Sequence, residues 1–176
     1  MRCVYAGTFD PPTYGHNWMV KKARDLFDDV HILIAINTDK KTMFPKEVIE
    51  EMWIEMIKEQ IPQFQKQGDF GVFVKSTSGL VVDYAYQECC KYIVRGVRNA
   101  TDYAYEQQIQ MINKSLETEI ETIFFIPPHE LSIISSSYVK SMIEFKGWKE
   151  RLKKAVHPGV IKRLERVLEG RKSLLL

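Results

Sequence analysis

Cysteine is scarce in this chain of 176 residues: there are three, Cys3, Cys89 and Cys90, two of them adjacent. An odd number with no Cys-x-x-Cys spacing and no histidine cluster excludes a disulfide framework and a structural zinc site. They read as buried thiols of a reducing compartment. No apolar run approaches the ~18 residues of a membrane span, and the first residues lack the charged-then-apolar pattern of a secretory leader. A soluble cytoplasmic protein with no membrane attachment is expected. Neither sign of charge dominates, since 25 Lys and Arg face 23 Asp and Glu for a formal net charge of +2. That balance excludes the broad basic field expected of a nucleic-acid binder but leaves local phosphate binding open. Internal repeats and low-complexity segments are absent too. What is present is 45% apolar residues in a chain of single-domain length, ample for one buried core.

Strand-like and helix-like segments alternate along the chain. The patterning predicts strands over 2–6, 30–36, 71–75, 91–95 and 121–126, and helices over 16–27, 46–60, 81–89, 102–117, 135–144 and 157–169. Pro158 opens the last helix and Gly170 closes it, leaving a tail over 170–176. This order implies an α/β fold of Rossmann-like type: one domain with a doubly wound parallel sheet and helices on both faces. In such sheets a ligand lies beyond the carboxyl ends of the strands. Four polar clusters fall there: 7–16, 37–42, 95–106 and 127–137.

The first cluster runs Gly7-Thr8-Phe9-Asp10-Pro11-Pro12-Thr13-Tyr14-Gly15-His16, between a short apolar strand and a helix. That setting makes a phosphate site, with Gly7 and Gly15 allowing backbone to approach a ligand, Thr8 and Thr13 supplying hydroxyls, and the helix presenting unpaired N–H groups. His16 stands at the mouth as a donor. Nucleotidyl transfer needs the attacking phosphate aligned with the α-phosphorus and donors for the charge that develops on oxygen, and a Thr and a His on one phosphate meet both needs. A Pro-rich turn with an idle histidine is the simpler alternative.

In the second cluster Arg95 and Arg98 leave a strand on a loop and can grip phosphate oxygens bidentately. Asp102 is placed to cap the next helix and steady an arginine, with Glu106 one turn on. The third cluster, Ser135-Ser136-Ser137 at a helix start, offers hydroxyls and first-turn N–H groups to the β- and γ-phosphates of a nucleoside triphosphate. One serine acting only as a helix cap explains the same spacing. Lys40 and Lys41 can reach a phosphate from the second loop, or be merely solvated. His31, His129 and His157 have no partner at metal-ligand spacing and read as structural or exposed.

These motifs, Gly7-Thr8-Phe9-Asp10-Pro11 with Thr13-Tyr14-Gly15-His16, Arg95-Gly96-Val97-Arg98 with Asp102 and Glu106, and Ile134-Ser135-Ser136-Ser137 with Val139-Lys140, resemble those of the nucleotidyltransferase superfamily. Within it the chain is most similar to the phosphopantetheine adenylyltransferases, over about residues 2–165. The resemblance implies reaction of ATP with 4'-phosphopantetheine to give dephospho-coenzyme A and pyrophosphate, helped by Mg²⁺ with no protein metal ligands. It implies catalytic roles for His16, Thr8, Lys40 and Arg98, with His16 stabilising the pentacovalent transition state and Thr8 orienting the acceptor phosphate. It assigns Gly7, Thr8, Phe9, His16, Gly96, Arg98, Glu106, Ser135, Ser136 and Ser137 to ATP. Thr8, Lys40, Leu80, Val81, Arg95 and Asn113 go to the acceptor. A homo-oligomer, in this family a hexamer, is implied as well. The chain departs from the family pattern at Tyr14, across 45–78 on the acceptor side, and at Leu131. A cytidylyltransferase, a nicotinamide mononucleotide adenylyltransferase and an idle nucleotide sensor are the alternatives.

Overall fold

The computed structural model describes residues 1–36, 41–116 and 119–173. Five strands form one parallel sheet: β1 (Arg2–Gly7), β2 (Asp29–Ala35), β3 (Val72–Thr77), β4 (Tyr92–Gly96) and β5 (Glu121–Phe125). Their order is β3-β2-β1-β4-β5, so the chain winds outward one way from β1 and then returns to start again on its other side at β4. Register is continuous, with Cys3 opposite both Val30 and Tyr92, and Val30 opposite Val72. The helices are α1 (Tyr14–Arg24), α2 (Lys46–Gln60), α3 (Val81–Gln87), α4 (Ala100–Leu116), α5 (His129–Ser132), α6 (Ser136–Met142), α7 (Trp148–Leu152) and α8 (Pro158–Ser173). The doubly wound parallel sheet expected from the sequence is thus present.

Alternation along the strands divides the core in two. Val30, Ile32 and Ile34 of β2 face a large cluster with Met52, Trp53, Met56, Leu152 and Leu164, contributed by α2, α7 and α8. Leu33 faces the opposite way, with Val4, Ala6, Ile93, Val82 and Ala85, under α3. β1 is buried from Cys3 to Ala6 because both faces and both edges are covered, as a central parallel strand requires.

Several expectations shift at their edges. α1 begins at Tyr14 rather than 16 and ends at Arg24 rather than 27, because Thr13 is its N-cap and the chain must leave the helix to bury Phe27. α8 runs through Gly170 to Ser173, where the sequence suggests a stop at 169. Gly170 has no positive φ there, and glycine weakens a helix without ending it unless it turns left-handed. α5 and α7, of four and five residues, are too short to leave a periodic signal. Of the cysteines, Cys3 and Cys90 are buried but Cys89 is exposed. Burial pushes each buried thiol up to about 12, which keeps it protonated and unreactive. His31 is structural: it lies buried between Phe73 and the Tyr84 hydroxyl, 2.9 Å away.

Candidate functional site

A cavity of about 670 Å³ opens at the carboxyl ends of β1 and β4, the point where the strand order reverses. Open α/β sheets bind ligands at such switch points because adjacent loops diverge to opposite faces. Every residue assigned above to ATP or acceptor lines this cavity except Lys40, which lies outside the described residues. Lys41 is exposed and takes no part in its wall.

His16 is fixed from behind. The backbone N–H of Thr13 donates to its Nδ1 at 3.1 Å, and the Thr13 hydroxyl lies 3.2 Å from the same nitrogen. An accepting Nδ1 puts the proton of a neutral imidazole on Nε2, which no described residue engages. Burial, with the Arg98 guanidinium as a second cause, pushes the ring down from its ordinary 6.5 to about 4, so it is neutral at physiological pH. The Phe9 ring meets it edge-on, centroids 5.1 Å apart. The site therefore presents a neutral N–H donor with its orientation set.

Phe9, assigned to ATP, borders the cavity but commits its ring to the core. It is 2% exposed and packs on Tyr5 and Trp53 as well as His16, with its backbone in the left-handed region at φ 48°. The two glycines also answer to the protein itself. A Cβ on Gly7 would stand 2.8 Å from the Phe9 ring, and one on Gly15 would stand 3.0 Å from the carbonyl oxygen of Ile134 and 3.3 Å from that of Leu131. Gly15 is what lets α1 lie against the 131–134 segment. Thr13, expected to offer a hydroxyl to phosphate, is wholly buried as cap and His16 support. Thr8 is the exposed threonine.

The arginines differ. Arg95 donates from Nε and Nη2 to the two Glu106 oxygens, both at 2.6 Å, and from Nη1 to the Ala6 carbonyl at 2.8 Å. Burial opposes its charge, but Glu106 outweighs burial and holds the guanidinium protonated. Glu106 thus spends both oxygens on Arg95. Arg98 is held by Asp102 through Nε at 2.6 Å and Nη2 at 3.2 Å, leaving Nη1 unengaged among the described residues. Asp102 steadies an arginine as its position suggests, but the cap of α4 is Asn99, whose Oδ1 accepts the Asp102 N–H at 2.9 Å.

The three serines divide their duties. Ser135 caps α6, accepting the Tyr138 N–H at 3.1 Å, and Ser136 donates its hydroxyl to the Pro11 carbonyl at 2.8 Å. Ser137 is exposed. The opposite wall is apolar, from Leu80, Val81, Ile109 and Ile112, with Asn113 among them. No residue of 41–79 reaches the cavity, although 45–78 reads from sequence as bordering the acceptor. That segment instead forms α2, whose Met52, Trp53 and Met56 are fully buried, and the edge strand β3.

One residue the sequence reading left without a role is Asp10. It is 3% exposed, accepts the N–H groups of Met43 at 2.9 Å and Phe44 at 3.0 Å, and pairs with Lys140 Nζ at 3.2 Å. Its signal in the sequence is its place in the first motif, as an acidic residue inside a Pro-rich turn.

Comparison with known proteins agrees with this geometry. The family model described as cytidylyltransferase-like matches residues 4–142. A phosphopantetheine adenylyltransferase of Neisseria meningitidis is 36% identical over 163 residues, covering 93% of this chain and 91% of that one. Those of Nautilia profundicola and Moorella thermoacetica are 40% and 37% identical, covering 83% and 98% of this chain and 89% and 98% of theirs. Among solved structures, the Plasmodium falciparum nicotinic acid mononucleotide adenylyltransferase complexed with NaAD superposes with a TM-score of 0.64 at 18% identity, covering 94% of each chain. That likeness is one of fold.

Proposed function

The chain belongs to the cytidylyltransferase-like family and, within it, to the phosphopantetheine adenylyltransferases, and from that premise we propose that it transfers the adenylyl group of ATP to 4'-phosphopantetheine. An oxygen of the acceptor phosphate forms a bond to the α-phosphorus of ATP. The bond from that phosphorus to the α–β bridging oxygen breaks, and its electron pair leaves with pyrophosphate. The products are dephospho-coenzyme A and pyrophosphate.

The observation that carries this reading is the His16 imidazole, locked through Nδ1 with its donor Nε2 unengaged in a cavity that also holds Arg98, Thr8 and the start of α6. A pre-oriented donor costs no reorganisation when charge develops on the transferring phosphoryl group, so it stabilises the transition state more than the ground state. His16 serves that role, and Thr8 aligns the acceptor phosphate. Arg98 with its unengaged Nη1, the α6 N-terminus and Ser137 hold the triphosphate, while Arg95 and Lys40 attract the acceptor phosphate. Glu106, assigned by the resemblance to ATP, acts instead through Arg95, whose charge it fixes in place beside the acceptor phosphate. Leu80, Val81 and Asn113 receive the pantetheine arm, an apolar wall serving its carbons and the Asn113 amide its polar groups.

Mg²⁺ enters with ATP. Among the described residues no group of three acidic, histidine or cysteine side chains could hold an ion, and Glu106 and Asp10 are already committed. On this reading the ion would be carried by the phosphate oxygens of ATP and would offset their charge. The protein works as a homo-oligomer in the cytoplasm; the exposed Tyr103, Met111 and Leu116 of α4 support an interface between copies. No described helix is long and apolar enough to cross a membrane.

The test is pyrophosphate release with ATP or CTP against 4'-phosphopantetheine or nicotinic acid mononucleotide. ATP with 4'-phosphopantetheine is expected to exceed every other pairing by on the order of 10²-fold. No release from that pair, or a preference for CTP, overturns the reading.

A further inference from the structure

We propose that Asp10 is a positioning residue for the transfer, acting with Lys140 as a clasp that holds three separate segments in register around the cavity. Three observations carry this, and the catalytic part rests on the adenylyl-transfer reading. The Asp10 carboxylate is nearly inaccessible, and a buried carboxylate persists only where donors compensate its lost hydration. Its donors come from two distant stretches: Phe44 N–H to Oδ1, with Met43 N–H and the Lys140 ammonium to Oδ2. A fourth contact runs parallel, from the Ser136 hydroxyl one turn before Lys140 to Pro11, next to Asp10.

The consequence is geometric. Thr8, in the loop after β1, and His16, in the first turn of α1, flank Asp10, whereas Ser135 to Ser137 stand at the start of α6, which follows β5 at the sheet's far edge. No strand pairing relates those two pieces, since β5 pairs only with β4. Side-chain bonds from Asp10 and Ser136, together with the packing of α1 against the 131–134 segment at Gly15, therefore set the distance from the His16 donor to the α6 start. Phe44, 3% exposed, anchors the clasp in the main core. Lys140 is not among the residues that line the cavity, and its ammonium pairs with Asp10 at 3.2 Å.

In Asp10→Asn one oxygen becomes an NH₂ facing an N–H, so part of the clasp is replaced by repulsion. Steady-state kinetics should show kcat lowered by roughly tenfold or more with KM for ATP changed by less than about threefold, as expected when alignment rather than binding is lost. Lys140→Met should lower kcat several-fold, Lys140→Arg should restore most of it, and the double variant should be no worse than Asp10→Asn alone. Wild-type kcat in folded Asp10→Asn, or losses that simply multiply in the double variant, would overturn the clasp. If Asp10→Asn does not fold, the Lys140→Met and Lys140→Arg pair decides: equal activity of both overturns it. Hydrogen exchange reads the clasp without turnover, the Met43 and Phe44 amides opening at least tenfold faster in Lys140→Met while β1 amides are unchanged. Unaltered exchange refutes the clasp itself, whereas altered exchange in a protein that releases no pyrophosphate refutes only the reaction.

Discussion

At His16 a single nitrogen decides what the side chain can do. Thr13 occupies Nδ1, so Nε2 carries the proton, and burial keeps the ring neutral down to about 4. ¹⁵N and ¹³C spectra of the ligand-free protein should show the Nε2–H tautomer and a His16 midpoint near 4; a midpoint near the ordinary 6.5 would mean a solvated ring. The sign for stability follows: with the folded value depressed, the unfolded chain takes up this proton first, so stability falls as pH drops from 6.5 toward 4. His16→Ala should lower turnover by on the order of 10² to 10³ while leaving the calorimetric affinity for ATP nearly unchanged, because the donor matters most in the transition state. An equal loss of ATP affinity would place His16 in ground-state binding.

Elements meet at this site through their ends. α1 starts on a Thr13 cap whose bonds also orient His16, so the helix and the donor share one support. Thr13→Ala should cost about 1 kcal/mol in urea unfolding and also loosen the His16 ring. The first turn of α1 lies against carbonyls of the 131–134 segment because Gly15 has no side chain. Alanine there gains at most about 1 kcal/mol of helix propensity but meets backbone oxygen, an overpacking cost of about 1 to 3 kcal/mol. Gly15→Ala should therefore be net destabilising, by a fall in Tm of a few degrees; a rise would mean that the 131–134 segment yields freely.

Across the whole molecule, the reversal of strand order at β1 and β4 opens the cavity, and everything else keeps that opening in place. The segment 45–78 serves the scaffold. Arg163 of α8 binds Glu55 of α2 through two nitrogens at 2.9 and 2.8 Å and Glu51 at 3.1 Å, joining the two helices over the main core. Glu51 is exposed and Glu55 half-buried, so screening limits this network and Arg163→Ala should cost only about 1 kcal/mol. Hydrogen bonding to Arg163 holds the Glu55 carboxyl below its ordinary 4.5. That contribution is present above pH 4.5 and is lost as pH falls through the lower folded value, so Arg163→Ala should flatten the acid limb of thermal stability below pH 4.5. An unchanged limb would show that the pair contributes nothing.

Local chemistry was written in the sequence: five strands in alternation with helices, the polar clusters at the carboxyl ends of four of them, and the motifs that identify the family. Periodicity and turn residues are properties of neighbours along the chain, and the parallel order brings such ends to one rim. The division of labour inside each motif was not legible. Nothing in the spacing says that Thr13 faces inward while Thr8 faces out, that Gly15 makes room for Ile134 and Leu131, that Glu106 is consumed by Arg95, or that Asp10 reaches Phe44 and Lys140. Those partners are separated by 11 to 130 positions or face into the core, and which of them meet is decided only when the strands pair and the helices pack.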